Sequence, residues 1–174
     1  MIQNERETRH QRVMEAVGQM MTAARTAPKA KGIDIVEIVA VEGHDIQTLS
    51  NKLHELGIQS GRKFFLRDAE NILSAEAVLL IGTHLQEQNL DCSYCGFPTC
   101  GDKPQMFPCA INTVDVGIAI GSACAAAANL HLDTRVMFSV GYAAAALDWL
   151  KGCRTILGIS VSASSKNPFF DRKV

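Results

Sequence analysis

The sequence predicts a single α+β (α/β-like) domain over residues 1–174, built from one sheet that is flanked by helices. Stretches with apolar residues at helical spacing alternate along the chain with short β-branched runs typical of buried strands. The 174 residues suffice for one hydrophobic core, and no linker, repeat or block of charge divides them. With 20% charged residues and a net charge of -1, the composition predicts neither nucleic-acid binding nor attraction to an anionic membrane.

The amino-terminal part predicts a long helix followed by a strand. Residues 3–12 are highly charged, and apolar residues then recur at helical spacing from Val13 to Ala24, until Pro28 ends the pattern. Residues 33–41 are rich in β-branched side chains and almost free of structure breakers. We therefore expect them to form a strand that is buried on both faces.

Two shorter helices and a second strand are expected next. Asp45 suits the amino-terminal cap of a helix that Gly57 would end, with a stripe of apolar residues between them. Residues 68–73 have the pattern of a short helix, whereas residues 63–66 are ambiguous. Residues 77–82 are an apolar run typical of a buried strand.

The second half predicts the longest helix, two strands and one further helix. In the long helix, over about residues 113–131, Gly117, Gly121 and Ala125 recur every four residues on a largely apolar surface. Small residues at this interval let another helix approach closely, so this helix is expected in the core or at a subunit interface. The other elements are expected at residues 135–140 (strand), 142–151 (helix) and 155–161 (strand).

Four of the six cysteines fall in one stretch, residues 91–109. Cys92, Cys95 and Cys100 are spaced so that their thiolates can turn back on one metal centre, because the glycine and proline between them favour tight, non-helical backbone. Four thiolates suit either an iron–sulfur cluster or a tetrahedral zinc ion, since both accept this ligand set, and free thiols without a metal are the remaining alternative. Glycines beside the ligands leave backbone amides able to approach cluster sulfurs, which favours the cluster.

The remaining two cysteines are not expected to have a chemical role. Cys124 lies in the long helix and is expected to be a small buried residue, and Cys153 is expected to be partly exposed. None of the five histidines shows the spacing of a metal ligand.

The amino terminus is too polar for a signal peptide, and no apolar run reaches the length of a membrane span. These features predict a cytoplasmic protein with reduced thiols.

Several stretches, taken in this order, resemble a family of uncharacterised prokaryotic proteins described as containing a ferredoxin domain (DUF2148). They are residues 24–34, the cysteine stretch 91–109, and residues 115–123, 133–141 and 166–172. The family name implies iron–sulfur binding without a known reaction.

The cysteine stretch also resembles the motif of the four-iron, four-sulfur (4Fe-4S) domain. The resemblance is carried by the spacing Cys92-x-x-Cys95 and by the sequence Cys-Gly-Phe-Pro-Thr-Cys from Cys95 to Cys100. The last cysteine of that motif usually stands farther along the chain, where this sequence has Gly117. The resemblance therefore implies Cys92, Cys95 and Cys100 as ligands, with Cys109 taking the place of the fourth.

A more distant resemblance is to the flavin-dependent nitroreductases. Their Ala-Pro-Ser turn is similar to residues 27–29, and the Asp-Ala-Gly start of their central helix is similar to residues 115–117. This resemblance implies a mixed sheet flanked by helices, a homodimer in which the long helices meet, and bound FMN. Their Arg-Arg-Ser-x-Arg phosphate motif is absent here, so the candidate contacts for a flavin phosphate or another anion are Lys29, Lys31 and Arg172.

Three functional hypotheses follow. The first is a cytoplasmic 4Fe-4S protein that transfers electrons to or from a redox partner. The second is an FMN-dependent oxidoreductase whose cluster feeds the flavin. The third is a protein in which the same cysteines hold a structural zinc ion without redox activity.

Overall fold

A computed structural model describes residues 2–170 of the chain. Its helices and strands alternate in the order expected for an α+β domain, and the predicted fold class is confirmed. The helices are α1 (Glu5–Thr26), α2 (His44–Ser60), α3 (Lys63–Ile72), α4 (Ala110–Asn129) and α5 (Phe138–Ala146). The strands are β1 (Val36–Val41), β2 (Ala77–His84), β3 (Asp133–Met137) and β4 (Cys153–Ser162), and a short 3-10 turn spans Ala30–Gly32.

The four strands form one sheet in the order β1-β2-β4-β3. Every pair is antiparallel, whereas the resemblance implied a mixed sheet. Between β1 and β2 the chain runs out along α2 and back along α3, so β2 begins at the end of the sheet where β1 finishes, with Val41 opposite Val78. A return at the same end makes the pair antiparallel.

Helices cover both faces of the sheet and divide the core into two layers. On one face, α1 and α4 pack against Leu79 and Ile81 of β2. On the other face, α2, α3 and α5 pack against Val78 and Leu80. Successive side chains of β2 point to opposite layers and nearly all are buried, as expected for this strand.

The prediction that residues 33–41 form a strand buried on both faces is wrong. β1 lies at an edge of the sheet. Only its first and last side chains are buried, and those between them are exposed or half-buried. Val39, for example, is 40% exposed. A run of β-branched residues indicates a strand, but it does not distinguish an edge strand from a central one.

The predicted limits of α2 also need correction. The helix begins after Gly43, so Asp45 lies in its first turn and is not the cap, and it ends at Gly61, which has a left-handed φ of 67°. Gly57 lies inside the helix because α3 packs closely there. A Cβ at Gly57 would stand 2.6 Å from Cδ2 of Leu66.

The boundary between β3 and α5 differs from the one that the sequence predicts. The strand ends at Met137 and the helix starts at once with Phe138, ending at Ala146 instead of Lys151. The helix lies directly on β4, since a Cβ at Gly141 would stand 1.8 Å from the carbonyl oxygen of Ile156. Alanine-rich sequence favours helix without marking its ends, and this contact between backbones has no periodic signature.

Helix α4 buries one face and leaves the other open. Its buried face packs on α1, where the Ser122 hydroxyl donates to the carbonyl of Ala23 at 2.8 Å. The small-residue face, with Gly117 and Gly121, meets nothing within 4 Å, so no helix of the described chain approaches it. By length and composition α4 is the one described helix that could cross a membrane, a test that core helices also pass. Helix α4 thus lies in the core with one face, whereas its small-residue face is not covered by the described chain.

An ion triad links α1 to the two segments beside it and should make stability depend on pH. Nδ1 of His10 lies 2.9 Å from Glu76, and Nε2 lies 3.1 Å from Glu42. The hydrogen bond that the His10 ring donates to the Glu76 carboxylate is the main cause that raises the pKa of His10 above its usual 6.5, against a burial effect that lowers it. Since the folded state holds the proton more tightly, this contribution is fully present below the unfolded pKa and is lost as pH rises through the folded one.

We expect His10→Gln to cost less than about 1 kcal/mol of unfolding free energy near pH 5.5, because the side chains are largely exposed, and less still near pH 8.5. Urea unfolding of wild type and variant at both pH values measures the difference. His54→Gln, at an exposed position of α2, is the control. An equal cost at both pH values would contradict the assignment.

Candidate functional site

The cysteine stretch, residues 91–109, lies in the long connection between β2 and α4 and folds back on itself. We call it the cysteine loop. Residues 91 and 93, on either side of Cys92, both have left-handed backbone, with φ of 46° and 57°. The Asp91 carboxylate accepts the amide N–H of Cys100 at 2.7 Å, and the Ser93 hydroxyl donates to the carbonyl of Pro98 at 3.1 Å. These bonds close the segment of residues 91–100, which contains Cys92, Cys95 and Cys100.

Cys109 stands where this connection enters α4. It is the N-cap residue of the helix and is buried, and its carbonyl accepts the N–H of Thr113 at 3.1 Å. The amino end of a helix carries partial positive charge. Cys95 shares a pocket of about 330 Å³ with Phe107, Pro108 and the first turn of α4, so Cys95 and the segment next to Cys109 face one space.

The donor atoms fit a thiolate-bound metal in kind, but they are not assembled. All six cysteines lie among the described residues and none forms a disulfide. Within residues 2–170, no three histidine, cysteine or acidic side chains come close enough together to hold a metal ion. Binding would therefore require the cysteine side chains of the exposed loop to move inward. The ligand set Cys92, Cys95, Cys100 and Cys109 stays a prediction.

A buried lysine ties the two ends of the cysteine stretch together. The side chain of Lys103 is 3% exposed, and its amine lies 3.0 Å from the carboxylate of Glu87. The amine also donates to the carbonyl of Phe107 at 2.8 Å. The hydrogen bond from Lys103 lowers the pKa of Glu87 below its usual value. Sequence reasoning missed this pair, because nothing in the local pattern marks a loop lysine as buried.

A second polar network fixes the start of the same connection. The amide of Gln88 donates to the side-chain oxygen of Asn112 at 2.8 Å, and Asn112 donates to the carbonyl of Gln86 at 2.6 Å. Gln88 is 1% exposed, and its Oε1 has no hydrogen-bond partner within the described residues. The network anchors residues 86–88 to the first turn of α4, beside Cys109.

The predicted anion contacts are dispersed. The Lys29 amine is 4% exposed and donates to the carbonyls of Ala24 and Arg25, so it caps the carboxyl end of α1. The Lys31 amine donates to the carbonyl of Gln88 at 3.0 Å. Arg172 lies outside the described residues. Both described lysines are thus engaged with backbone, and a phosphate would have to replace those bonds.

The other two cysteines lie apart from the loop. Both are partly buried, Cys124 in α4 and Cys153 at the start of β4. Burial raises the pKa of the Cys124 thiol. Burial, and then the charge of Glu37, raise the pKa of Cys153 to about 11. Both thiols are therefore protonated near neutral pH and poor nucleophiles.

A wide cleft of about 1030 Å³ opens between α5 and the start of β4. Its walls include the aromatic side chains of Phe138, Tyr142 and Trp149, together with Cys153. Thr113, in the first turn of α4, lines both this cleft and the smaller pocket beside Cys95. The cleft and the cysteine loop are thus neighbours. Sequence analysis did not predict the cleft, since most of its walls come from residues 138–157 and the cleft depends on how α5 packs beside β4.

The fold is shared with solved nitroreductases and related oxidoreductases. A nitroreductase with bound FMN from Bacteroides fragilis matches with a TM-score of 0.63 and 10% identity, over 92% of this chain and 82% of that one. A nitroreductase with bound FMN from Desulfitobacterium hafniense matches at 0.61 and 14%, over 87% and 78%. The hypothetical oxidoreductase YcnD of Bacillus subtilis matches at 0.56 and 20%, over 88% of this chain and only 58% of that chain. These likenesses establish the nitroreductase-like fold.

Sequence comparison gives the family. The family described as "Uncharacterized protein containing a ferredoxin domain (DUF2148)" matches residues 107–172, a range that includes Cys109 and leaves out the other three candidate ligands. An uncharacterized protein of Archaeoglobus fulgidus is 37% identical over 182 residues, covering 99% of this chain and 98% of that protein. With a relative of this identity along its whole length, the chain belongs to the family of uncharacterized proteins containing a ferredoxin domain.

Proposed function

We propose that this protein is an electron-transfer protein that binds a 4Fe-4S cluster through Cys92, Cys95, Cys100 and Cys109. The observation that carries the proposal is the cysteine loop itself, in which two hydrogen bonds close a segment that contains three of these residues and leads to the fourth at the amino end of α4. The ferredoxin-domain family and the nitroreductase-like fold support a redox role. When bound, the cluster would supply reversible one-electron transfer.

The residues around the cysteines suit this role. Four thiolates carry negative charge, which the amino end of α4 stabilises next to Cys109. The rings of Phe97 and Phe107 pack edge to face with centroids 5.4 Å apart and give the loop an apolar side. The six free thiols suit a reducing compartment, and we propose the cytoplasm as the site of action.

Analysis of one preparation made without oxygen tests the proposal. Purified wild-type protein should contain about four iron and four sulfide per chain and show a broad visible absorption that reductant bleaches. Absence of iron and sulfide, with no visible absorption after reconstitution, would overturn the proposal. Stoichiometric zinc in place of iron under these conditions would favour a structural zinc protein with the same ligands.

A second candidate is an oxidoreductase in which the cluster exchanges electrons with FMN. The nitroreductase structures from B. fragilis and D. hafniense contain FMN. The cleft of about 1030 Å³ has aromatic walls and adjoins the cysteine loop through Thr113. Its size is at the upper end of ligand pockets, which span about 300 to 1,000 Å³. Heat denaturation of the same preparation should release flavin fluorescence if FMN is bound, and no flavin in fresh or FMN-treated protein would exclude this candidate.

We further propose that the protein is a homodimer in which the open faces of two α4 helices meet. Val114 and Ile118 are 52% and 40% exposed on this face, beside the exposed glycines 117 and 121. An apolar helix face that no element of the described chain covers favours a protein partner. Glycine at every fourth position lets two such helices come close together.

Gly121→Arg should convert the dimer to a monomer, because the side chain would stand between the two helices. Size-exclusion chromatography with light scattering measures the mass of wild type and variant. Gly18→Arg is the matched control, since Gly18 is also an exposed helical glycine with nothing within 4 Å, but it lies on α1. A monomeric wild type, or a dimeric Gly121→Arg, would contradict the proposed interface.

A further inference from the structure

Lys103 bonds to three separate parts of the connection between β2 and α4. Its backbone N–H donates to the carbonyl of Cys100 at 3.3 Å. Its amine bonds to the carbonyl of Phe107, two residues before Cys109, and to the carboxylate of Glu87, five residues before Cys92. One residue thus connects the segment just before the cysteine loop to the middle of the loop and to its carboxyl-terminal end.

Burial of this amine is costly and contrasts with its surroundings. An ammonium group loses several kcal/mol of hydration when it leaves water, and an ion pair with good hydrogen bonds only about offsets that loss. Residues 101 and 102 before Lys103, and residues 104–108 after it, are exposed. The fold therefore places a single charged side chain inside a segment that is otherwise on the surface. The ion pair lies outside both hydrophobic core layers.

We propose that the Lys103–Glu87 ion pair holds the cysteine loop closed before any metal binds, which makes Lys103 a positioning residue for metal binding by this loop. This inference rests on the proposed function. Among the described residues the loop cysteines are not grouped as metal ligands, so binding of a metal has to order their side chains, and this ordering costs conformational entropy. A loop whose two ends are already pinned loses less entropy on binding, and its metal affinity is higher.

Cobalt(II) is a suitable probe, because its thiolate-to-cobalt charge-transfer absorption appears only when thiolates bind the ion. Metal-free protein, kept reduced and without oxygen, is titrated with cobalt(II), and the thiolate-to-cobalt absorption gives the affinity. Lys103→Met keeps the length of the side chain and removes its charge and bonds. We expect this variant to bind cobalt(II) roughly 10- to 100-fold more weakly than wild type, as for other residues that support metal ligands. Glu87→Gln, which leaves the ammonium without its carboxylate, should weaken binding in the same direction.

Hydrogen exchange on the metal-free proteins separates positioning from charge. In Lys103→Met, the amides of residues 99–107 should exchange at least several-fold faster, whereas those of β2 and α4 keep their rates. Lys52→Met is the matched control, because Lys52 also lies 3.0 Å from a glutamate, Glu55, but on α2. It should change neither the cobalt affinity nor the exchange of the loop.

The outcomes distinguish this inference from the proposed function. Wild-type protein that gives no thiolate-to-cobalt absorption would overturn both. Wild-type binding that is retained at equal affinity in Lys103→Met would overturn the positioning role and leave the cysteine site intact. Weaker binding with unchanged exchange in residues 99–107 would also overturn it, since the lysine would then act without holding the loop.

Discussion

Replacement of Cys100 by serine is expected to remove the cluster almost completely. Cys100 lies in the centre of the cysteine loop, where its N–H already bonds to Asp91. A serine hydroxyl is a hard, protonated donor at neutral pH and a poor substitute for a thiolate toward iron. Iron should fall from about four per chain to near zero in protein prepared without oxygen, together with the visible absorption. Iron and sulfide assays on wild type and variant measure the change.

Cys109→Ser carries the separate question of the fourth ligand. Its spacing from the other three differs from the usual motif, so the assignment depends on its place at the start of α4 and on the pocket that the preceding residues share with Cys95. We expect loss of the cluster here as well. Cys153→Ser is the control, since this thiol lies on β4 outside the loop and stays protonated. Full iron content in Cys109→Ser would show that another group completes the site, and equal loss in Cys153→Ser would contradict the ligand set.

The order and type of most elements could be predicted because burial imposes a period on the sequence. The apolar spacing of α1 and the unbroken run of β2 correspond to side chains that are in fact buried. Element limits were less accessible where tertiary contacts decide them. Gly57 resembles a helix stop, yet it lies inside α2 because Leu66 packs over it, and Gly141 lies inside α5 because β4 passes beneath it.

The site was predictable only as far as its chemistry is local. The spacing of Cys92, Cys95 and Cys100 is visible in the sequence, and two hydrogen bonds close the segment that contains them. The contacts that hold this turn join residues that have no shared pattern, such as Lys103 with Glu87. The charge of Lys29 predicts an anion contact, but the sequence does not show that its amine bonds to carbonyls at the carboxyl end of α1, because that depends on where the helix ends.

Gly141→Ala is expected to destabilise the protein more than any other alanine substitution of a helical glycine. A Cβ at this position would stand 1.8 Å from the carbonyl oxygen of Ile156 and 2.8 Å from the backbone nitrogen of Leu157. Backbone atoms of a central strand cannot yield as a flexible side chain can, so α5 would have to move away from β4. We expect a loss of about 3 kcal/mol in the free energy of unfolding, measured by urea denaturation.

Gly18→Ala is the control for this prediction. Gly18 lies in the middle of α1 with nothing within 4 Å, so alanine should stabilise the protein by about 0.5 to 1 kcal/mol through helix propensity. The two substitutions add the same methyl group to a helix and should change stability in opposite directions. Because Gly141, Phe138 and Tyr142 line the same cleft, a shift of α5 would also widen that cleft beside the cysteine loop. A Gly141→Ala variant as stable as wild type would mean that α5 does not lie against β4 as described, and the walls of the cleft would then be wrong as well.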